Sequence, residues 1–206
     1  VPTAICPGSA GRVPGGPICT APEQMTGGIA DLLAWILSVD TAVAELFVAI
    51  RHPALTKLMT SVTGLGSAAA AAVFLSVFYL AGWRREFAVG AVAVGLSGIA
   101  VPALMYLVQR PFPAEPVCRT AGSVTPHSFP SGHAAVVTAF ALVSRGSEHL
   151  PFRIVTALAA TVAVSRIYLG THYLSDTLFG VALGIAAFAI GRSLAPRLRA
   201  RLPDSV

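Results

Sequence analysis

The chain has 206 residues, of which 55% are hydrophobic and only 11% are charged, and its formal net charge is +5. Soluble domains carry about 25% charged residues, so this composition excludes an ordinary soluble domain and indicates an integral membrane protein. The apolar residues occur in long blocks, as bilayer spans require. The basic residues lie between these blocks and form no face interleaved with aromatic side chains, which excludes a nucleic-acid-binding protein.

The first 28 residues are rich in proline and glycine and show no hydrophobic periodicity, which predicts an irregular N-terminal tail. They lack the basic start and the apolar run of a secretory signal. The three cysteines, Cys6, Cys19 and Cys118, match no metal motif. A disulfide between Cys6 and Cys19, a disulfide from either of them to Cys118, and three free thiols all stay open.

Residues 29–53 are apolar but are interrupted by Asp31, Asp40 and Glu45. A charge at the centre of a bilayer costs about 2.5–3.5 kcal/mol, so three charges argue against a single span. We therefore predict two short amphipathic helices that lie at the membrane interface.

Five membrane-spanning helices are predicted within residues 54–192, which form the main domain. They cover Leu55–Gly82, Phe87–Val108, Ser131–Val143, Ile154–Leu169 and Tyr173–Ile190. Pro102 lies inside the second span and predicts a kink there. The chain is thus expected to be an all-α, polytopic transmembrane bundle of five or six spans.

The arginines orient this bundle. In the five-span arrangement one membrane side receives Arg84, Arg85, Arg145, Arg153 and the arginines of the basic tail, residues 193–206. The positive-inside rule makes that side cytoplasmic. The polar loop 109–130 and the turn 170–172 are therefore predicted to lie on the extracytoplasmic side, and the tail to rest on anionic lipid headgroups.

The sequence FPSGH, residues 129–133, opens the third apolar run. Pro130 suits the first turn of a helix, because an N–H at this place would have no partner. Ser131, Gly132 and His133 then supply free backbone N–H groups at a helix N-terminus, which favours an anion. Gly132 lets the anion approach the backbone closely. We predict a phosphate cradle here, with His133 beside it.

A further cluster lies in SRIYLGTHYLSD, residues 165–176. His172 and Asp176 share one face if the helix begins near His172. The carboxylate can then hold one ring nitrogen and leave the other free to attack. Arg166 and Arg110 both lie at outer ends of spans, where their planar forks suit phosphate oxygens. These residues together predict phosphoryl transfer through a phosphohistidine.

Each cluster taken alone also has a simpler interpretation. Asp176 can cap a helix or pair with Arg166, and the SGH sequence can be an ordinary helix cap. Gly180 and Gly184 form a small-xxx-small pair, which we interpret as helix packing. The remaining histidines are interpreted as solvated or interfacial, and they are His52, His127 and His149. Because all the clusters fall on one membrane face, a common site is favoured.

The clusters resemble the signature of the type 2 phosphatidic acid phosphatases, lipid phosphate phosphatases that share a core with vanadium haloperoxidases. The family pattern is K-x6-R-P, then P-S-G-H, then S-R-x5-H-x3-D. Residues 130–133 match its second part, and the third part is complete as Ser165, Arg166, His172 and Asp176. The first part keeps Arg110-Pro111.

The family lysine of the first part falls on Ala103. In the family this lysine contacts the phosphoryl group, so its loss leaves open the rate, the substrate and the balance of charge. Lys57 and Arg119 are candidates for a replacing cation.

The resemblance implies that His172 is the nucleophile, that Asp176 orients it, and that His133 is the general acid. The groups that hold the phosphoryl oxygens are then Arg110, Arg166, Ser131 and the Gly132 amide. No metal and no cofactor is implied, since arginines and amides supply the positive charge. The sequence also lacks clustered carboxylates that would bind Mg²⁺.

The implied protein is a multi-pass cell-membrane lipid phosphatase with an extracytoplasmic active site. Its partners are the bilayer and a phosphorylated lipid such as phosphatidate, phosphatidylglycerol phosphate or a polyprenyl diphosphate, and nucleic acid is not among them. Two alternatives stay open, a lipid phosphotransferase and a non-catalytic lipid-phosphate binder or transporter. The sequence does not indicate the oligomeric state.

Overall fold

The computed structural model describes residues 28–117 and 127–199. In these ranges the chain forms helices α1 (Gly28–Ala49), α2 (Pro53–Thr63), α3 (Ala68–Leu80), α4 (Arg84–Val108), α5 (Gly132–Ser144), α6 (Phe152–Tyr168) and α7 (Leu174–Arg199). No strand occurs in the described ranges, so the prediction of an all-α fold is confirmed. The three cysteines and the predicted tail up to residue 27 lie outside the described residues.

Three of these helices, α1, α4 and α7, are long and apolar enough to cross a membrane, and the bent pair of α2 and α3 makes a possible fourth span within the described residues. A span needs about 20 residues, whereas α5 has 13 and α6 has 17. The predicted number of five or six spans is therefore not confirmed. Helix α7 also continues to Arg199, so residues 193–199 are helical instead of forming a separate tail.

Residues 28–49 form one continuous helix, so the prediction of two short helices in this segment was wrong. The charge at Asp40 does not interrupt α1, because its side chain is buried against the bundle and paired there. Asp40 contacts Ser175 at the start of α7, and Arg51, just beyond α1, donates to the carbonyl of Tyr168 at the end of α6. The second half of α1 therefore lies across the turn that joins α6 to α7.

The predicted span Leu55–Gly82 is broken, with α2 and α3 meeting at an angle of 54°. A short 3-10 turn, Gly64–Gly66, separates them, and the hydroxyl of Ser67 accepts a hydrogen bond from the Ala70 amide to start α3. Gly66 lies so close to α5 and α6 that a Cβ there would be 3.0 Å from the Cβ of His133. The break thus brings backbone directly against a predicted site residue.

Glycines let α7 pack closely against α5 and α4. A Cβ at Gly180 would lie 2.3 Å from the carbonyl oxygen of Ser131, and one at Gly184 would lie 2.4 Å from that of Ala135. A Cβ at Gly191 would similarly lie 2.7 Å from the carbonyl oxygen of Val89. The helix-packing interpretation is confirmed, and this contact fixes the first turn of α5 against the first turns of α7.

Candidate active site

His172 lies in the turn between α6 and α7 and is buried. Its Nδ1 is 2.5 Å from the carbonyl oxygen of Ser128. A carbonyl only accepts hydrogen bonds, so Nδ1 carries the proton and Nε2 keeps its lone pair. Ser128 is itself fixed, because its amide donates to the Arg110 carbonyl at 2.8 Å and its hydroxyl donates to the Pro111 carbonyl at 3.0 Å. The imidazole is therefore oriented by a residue that is itself hydrogen-bonded to the chain at Arg110 and Pro111.

The electrostatic surroundings keep His172 neutral. Burial, followed by the positive charge of Arg166, lowers the pKa of His172 to about 3, and the hydrogen bond to Ser128 opposes this shift only in part. Near neutral pH the ring is thus uncharged, as a nitrogen nucleophile must be.

Asp176 does not hold the His172 ring, and the predicted contact between them was wrong. Its Oδ2 accepts the Tyr173 amide at 2.9 Å, and its Oδ1 accepts a hydrogen bond from Arg110 Nη1 at 2.5 Å. Helix α7 begins only at Leu174, so His172 precedes the helix and the i, i+4 alignment does not apply. Asp176 instead caps the start of α7 and pairs with an arginine.

Arg110 lies just beyond α4 between two carboxylates. Its Nη1 bonds Asp176 and the hydroxyl of Ser175, the latter at 2.7 Å, and its Nη2 bonds Asp40 Oδ2, also at 2.7 Å. The guanidinium also lies over the ring of Tyr173, 4.0 Å from its centroid. Arg110 is thereby held in one orientation at the rim of the bundle.

Arg166 lies in the last turn of α6. Its Nη1 donates to the hydroxyl of Thr63 at 2.9 Å, which ties it to the end of α2. Its charge acts on both His133 and His172. Arg166 thus lies beside both predicted catalytic histidines, as convergence of the clusters required.

The SGH sequence forms the start of α5, although not in every detail as predicted. Ser131 is the N-cap, so Pro130 precedes the helix instead of occupying its first turn. The Ser131 amide donates to the Asp176 carbonyl at 3.1 Å and is not free for an anion. The amides of Gly132 and His133 have no partner among the residues that the structure describes. The predicted cradle is therefore reduced from three amides to two.

All seven predicted site residues meet at one end of the bundle. The Ser131 amide donates to the Asp176 carbonyl, and Arg110 donates to the Asp176 carboxylate. The Arg110 carbonyl accepts the Ser128 amide, and the Ser128 carbonyl accepts from the His172 ring. The charge of Arg166 acts on both histidines, and Gly132 lies between Ser131 and His133 in the chain.

Sequence reasoning missed three groups, Asp40, Thr63 and the Ser128 carbonyl. For Asp40 the sequence could have predicted a buried partner, since an acidic residue inside an apolar helix needs one. Ser128 acts through a backbone atom, which no residue type reveals.

The position of the family lysine faces away from these groups, since Ala103 is exposed on the outside of α4. Lys57 is exposed on α2, and Arg119 lies outside the described residues. Within residues 28–117 and 127–199, no three His, Cys, Asp or Glu side chains come together as a metal site requires.

Comparison with known proteins decides the family. The sequence model of the PAP2 superfamily matches residues 87–199, more than half of the chain, and α4 to α7 lie almost entirely within this match. This chain belongs to the PAP2 superfamily. The match contains all seven predicted site residues, whereas α1 with Asp40 precedes it.

Two similar proteins are named as phosphatases. The decaprenylphosphoryl-5-phosphoribose phosphatase of Mycobacterium tuberculosis is 42% identical over 121 residues, 57% of this chain and 67% of that protein. Phosphatidylglycerophosphatase B of Bacillus subtilis is 27% identical over 185 residues, 80% of this chain and 87% of that protein.

Two solved structures share the fold of this PAP2 protein. The transmembrane PAP2-type phosphatidylglycerolphosphate phosphatase from Bacillus subtilis superimposes with a TM-score of 0.66 at 23% identity, covering 82% of this chain and 96% of that one. Aquifex aeolicus LpxE superimposes with a TM-score of 0.64 at 26% identity, covering 74% and 93%.

Proposed function

We propose that this chain, a multi-pass membrane phosphatase of the PAP2 superfamily, hydrolyses a phosphate monoester or diphosphate of a lipid through a phosphohistidine, without a metal ion. The observation that carries the proposal is the hydrogen bond from His172 Nδ1 to the Ser128 carbonyl at 2.5 Å. It leaves Nε2 unprotonated and oriented, beside the charge of Arg166 and next to His133.

In the first step, Nε2 of His172 attacks phosphorus and the bond from phosphorus to the lipid oxygen breaks. Burial, followed by the charge of Arg166, lowers the pKa of His133 to about 3 in the free protein, and the negative charge of the bound phosphate opposes that shift. His133, protonated in the complex with the lipid phosphate, gives its proton to that oxygen, so the lipid leaves as an alcohol or as a lipid monophosphate. The fork of Arg166 and the amides of Gly132 and His133 supply donors for the phosphoryl oxygens.

In the second step, neutral His133 removes a proton from water as the water oxygen attacks the phosphohistidine. The bond between phosphorus and nitrogen breaks, phosphate leaves, and both histidines return to their starting protonation states. The positive charge that a metal would contribute comes from Arg166, Arg110 and the start of α5.

The substrate is proposed to be a phosphorylated membrane lipid, for which the two similar phosphatases give concrete candidates. One is named for decaprenylphosphoryl-5-phosphoribose and the other for phosphatidylglycerol phosphate. Phosphatidate and undecaprenyl diphosphate complete the set. The arginines at the other end of the bundle favour a site on the extracytoplasmic side.

The proposal is tested by phosphate release from the purified protein in detergent micelles. The substrates are phosphatidate, phosphatidylglycerol phosphate, undecaprenyl diphosphate and decaprenylphosphoryl-5-phosphoribose. We expect turnover of at least one and, after rapid acid-free quenching, a phosphoprotein that is labile to acid and stable to base. Binding of these lipids without turnover would favour a binder or transporter instead. Release that requires a second lipid as acceptor would favour a phosphotransferase.

A further inference from the structure

Asp40 is a buried carboxylate on the apolar helix α1, with only 1% of its surface exposed. Its Oδ1 accepts the Ser175 amide at 2.9 Å, and its Oδ2 accepts Arg110 Nη2 at 2.7 Å and the Ser175 hydroxyl at 2.5 Å. A buried charge is tolerated only where it is paired and hydrogen-bonded in this way. The carboxylate therefore belongs to a specific arrangement at the start of α7.

The donors of Arg110 show what this arrangement does. A guanidinium has five N–H donors, and three of them are bonded to Asp40, Ser175 and Asp176. The remaining two have no partner among the residues that the structure describes. Because Asp40 and Asp176 bind different terminal nitrogens, they fix the rotation of the planar group. Fixing this plane also fixes the direction of the two remaining donors.

We propose that Asp40 is a positioning residue for the reaction, acting through Arg110 on the phosphoryl group. The inference rests on the proposed function and extends it to α1, which precedes the part of the chain that matches the superfamily. With one carboxylate alone the guanidinium can rotate, and its free donors no longer point to one place. A misplacement of about 1 Å can cost roughly 100-fold in rate.

The test compares Asp40→Asn with Asp31→Asn, a matched change on the same helix at an exposed position. Asp40→Asn keeps an acceptor oxygen for the Ser175 amide and removes the negative charge from Arg110. We expect kcat/KM for phosphate release to fall about 10- to 100-fold, with Asp31→Asn unchanged. Both variants are compared with wild type for thermal unfolding in detergent.

A double variant separates positioning from a purely structural role. If Asp40 acts through Arg110, adding Asp40→Asn to Arg110→Ala costs little further activity, because the guanidinium that Asp40 orients is already absent. An equal loss in both backgrounds, or full activity of Asp40→Asn, would overturn the inference. If Asp40→Asn does not fold, Ser175→Ala replaces it, since this hydroxyl bonds both Asp40 and Arg110.

Titration with inorganic orthovanadate, a phosphate analogue, provides a readout that needs no turnover. We expect Asp40→Asn to weaken its binding, and Asp31→Asn to leave it unchanged. Vanadate binding that depends on Asp40 in a protein without phosphatase activity would reject the proposed function alone. Turnover that is insensitive to Asp40 would reject this inference alone. A wild-type protein that shows neither turnover nor vanadate binding would reject both.

Discussion

The carbonyl oxygen of Ser128 takes the proton of His172 Nδ1, at the place where the sequence pattern suggested the carboxylate of Asp176. The tautomer of the proposed nucleophile is therefore set by a backbone carbonyl, and Asp176 pairs with Arg110. Substitutions of His172 and of Asp176 are therefore expected to lower phosphatase activity to different extents.

His172→Ala is expected to abolish turnover, by more than about 10⁴-fold, since it removes the nucleophile. Asp176→Asn keeps an acceptor for the Tyr173 amide and loses the ion pair with Arg110. Its expected cost is about 10- to 100-fold, in line with 1.5–3 kcal/mol for a hydrogen bond to a charged group. Measured kcat values decide the matter, and equal inactivity of both variants would show that Asp176 acts directly on His172.

The packing of α7 predicts a strong effect at Gly180. A methyl group there meets the Ser131 carbonyl oxygen, so Gly180→Ala should destabilise the fold by about 1–3 kcal/mol and lower phosphatase activity by displacing the start of α5. Gly95 has no atom within 4 Å of a built Cβ, which makes Gly95→Ala the matched control. The control should be neutral or stabilising by about 0.5–1 kcal/mol. Thermal unfolding in detergent and phosphate release give both readouts.

Acid should destabilise the protein through His172. Its pKa is about 3 in the folded chain and about 6.5 in an unfolded one. Below about pH 6.5 the unfolded chain therefore binds a proton that the folded chain excludes, and the free energy of unfolding falls by up to about 1.4 kcal/mol per pH unit until about pH 3. The unfolding free energy of His172→Gln should depend less on pH over this window. His149→Gln, at an exposed position in the loop between α5 and α6, should retain the wild-type slope.

Thr63 is expected to matter for rate because its hydroxyl accepts a hydrogen bond from Arg166 at 2.9 Å. Thr63→Val preserves the shape and removes the acceptor, which should lower kcat/KM about 5- to 10-fold, equivalent to roughly 1–1.5 kcal/mol. Ser61→Ala serves as the control, because that hydroxyl donates to the Lys57 carbonyl within α2. Comparable losses in the two variants would show that the contact with Arg166 has no special role.

Chelators should leave phosphatase activity within about twofold of its starting value, because the donors at the site are guanidinium and amide N–H groups that supply the charge directly. The assay is phosphate release after dialysis against EDTA, with and without added Mg²⁺. Loss of activity that Mg²⁺ restores would contradict the metal-independent mechanism.

The sequence predicted the helical core well because long apolar blocks fix where helices run. The prediction Phe87–Val108 lies within α4, and Ile154–Leu169 differs from α6 by two residues or fewer at each end. The meeting of the three motif clusters was also predictable, since each follows or precedes an apolar run at the same membrane face. What spacing could not supply was the direction of individual side chains.

The failures have identifiable physical causes. The prediction that Asp176 contacts the His172 ring was wrong because the i, i+4 spacing of a helix was applied to His172, which precedes α7. The break between α2 and α3 places Gly66 against His133, a residue distant in sequence that the local pattern does not reveal. Asp40 was counted as an obstacle to a span because its partner, Arg110, lies 70 residues further along the chain.

Asp40 and its hydrogen-bond partners are far apart in the sequence, which has a consequence for biosynthesis. Ser175 follows it by 135 residues, which take roughly 7–27 s to translate at about 5–20 residues per second. Arg110, 70 residues after Asp40, is synthesised about half-way through this interval, and the Ser175 amide of α7 only at its end. The full set of bonds that buries the Asp40 carboxylate can therefore form only after the start of α7 has been synthesised.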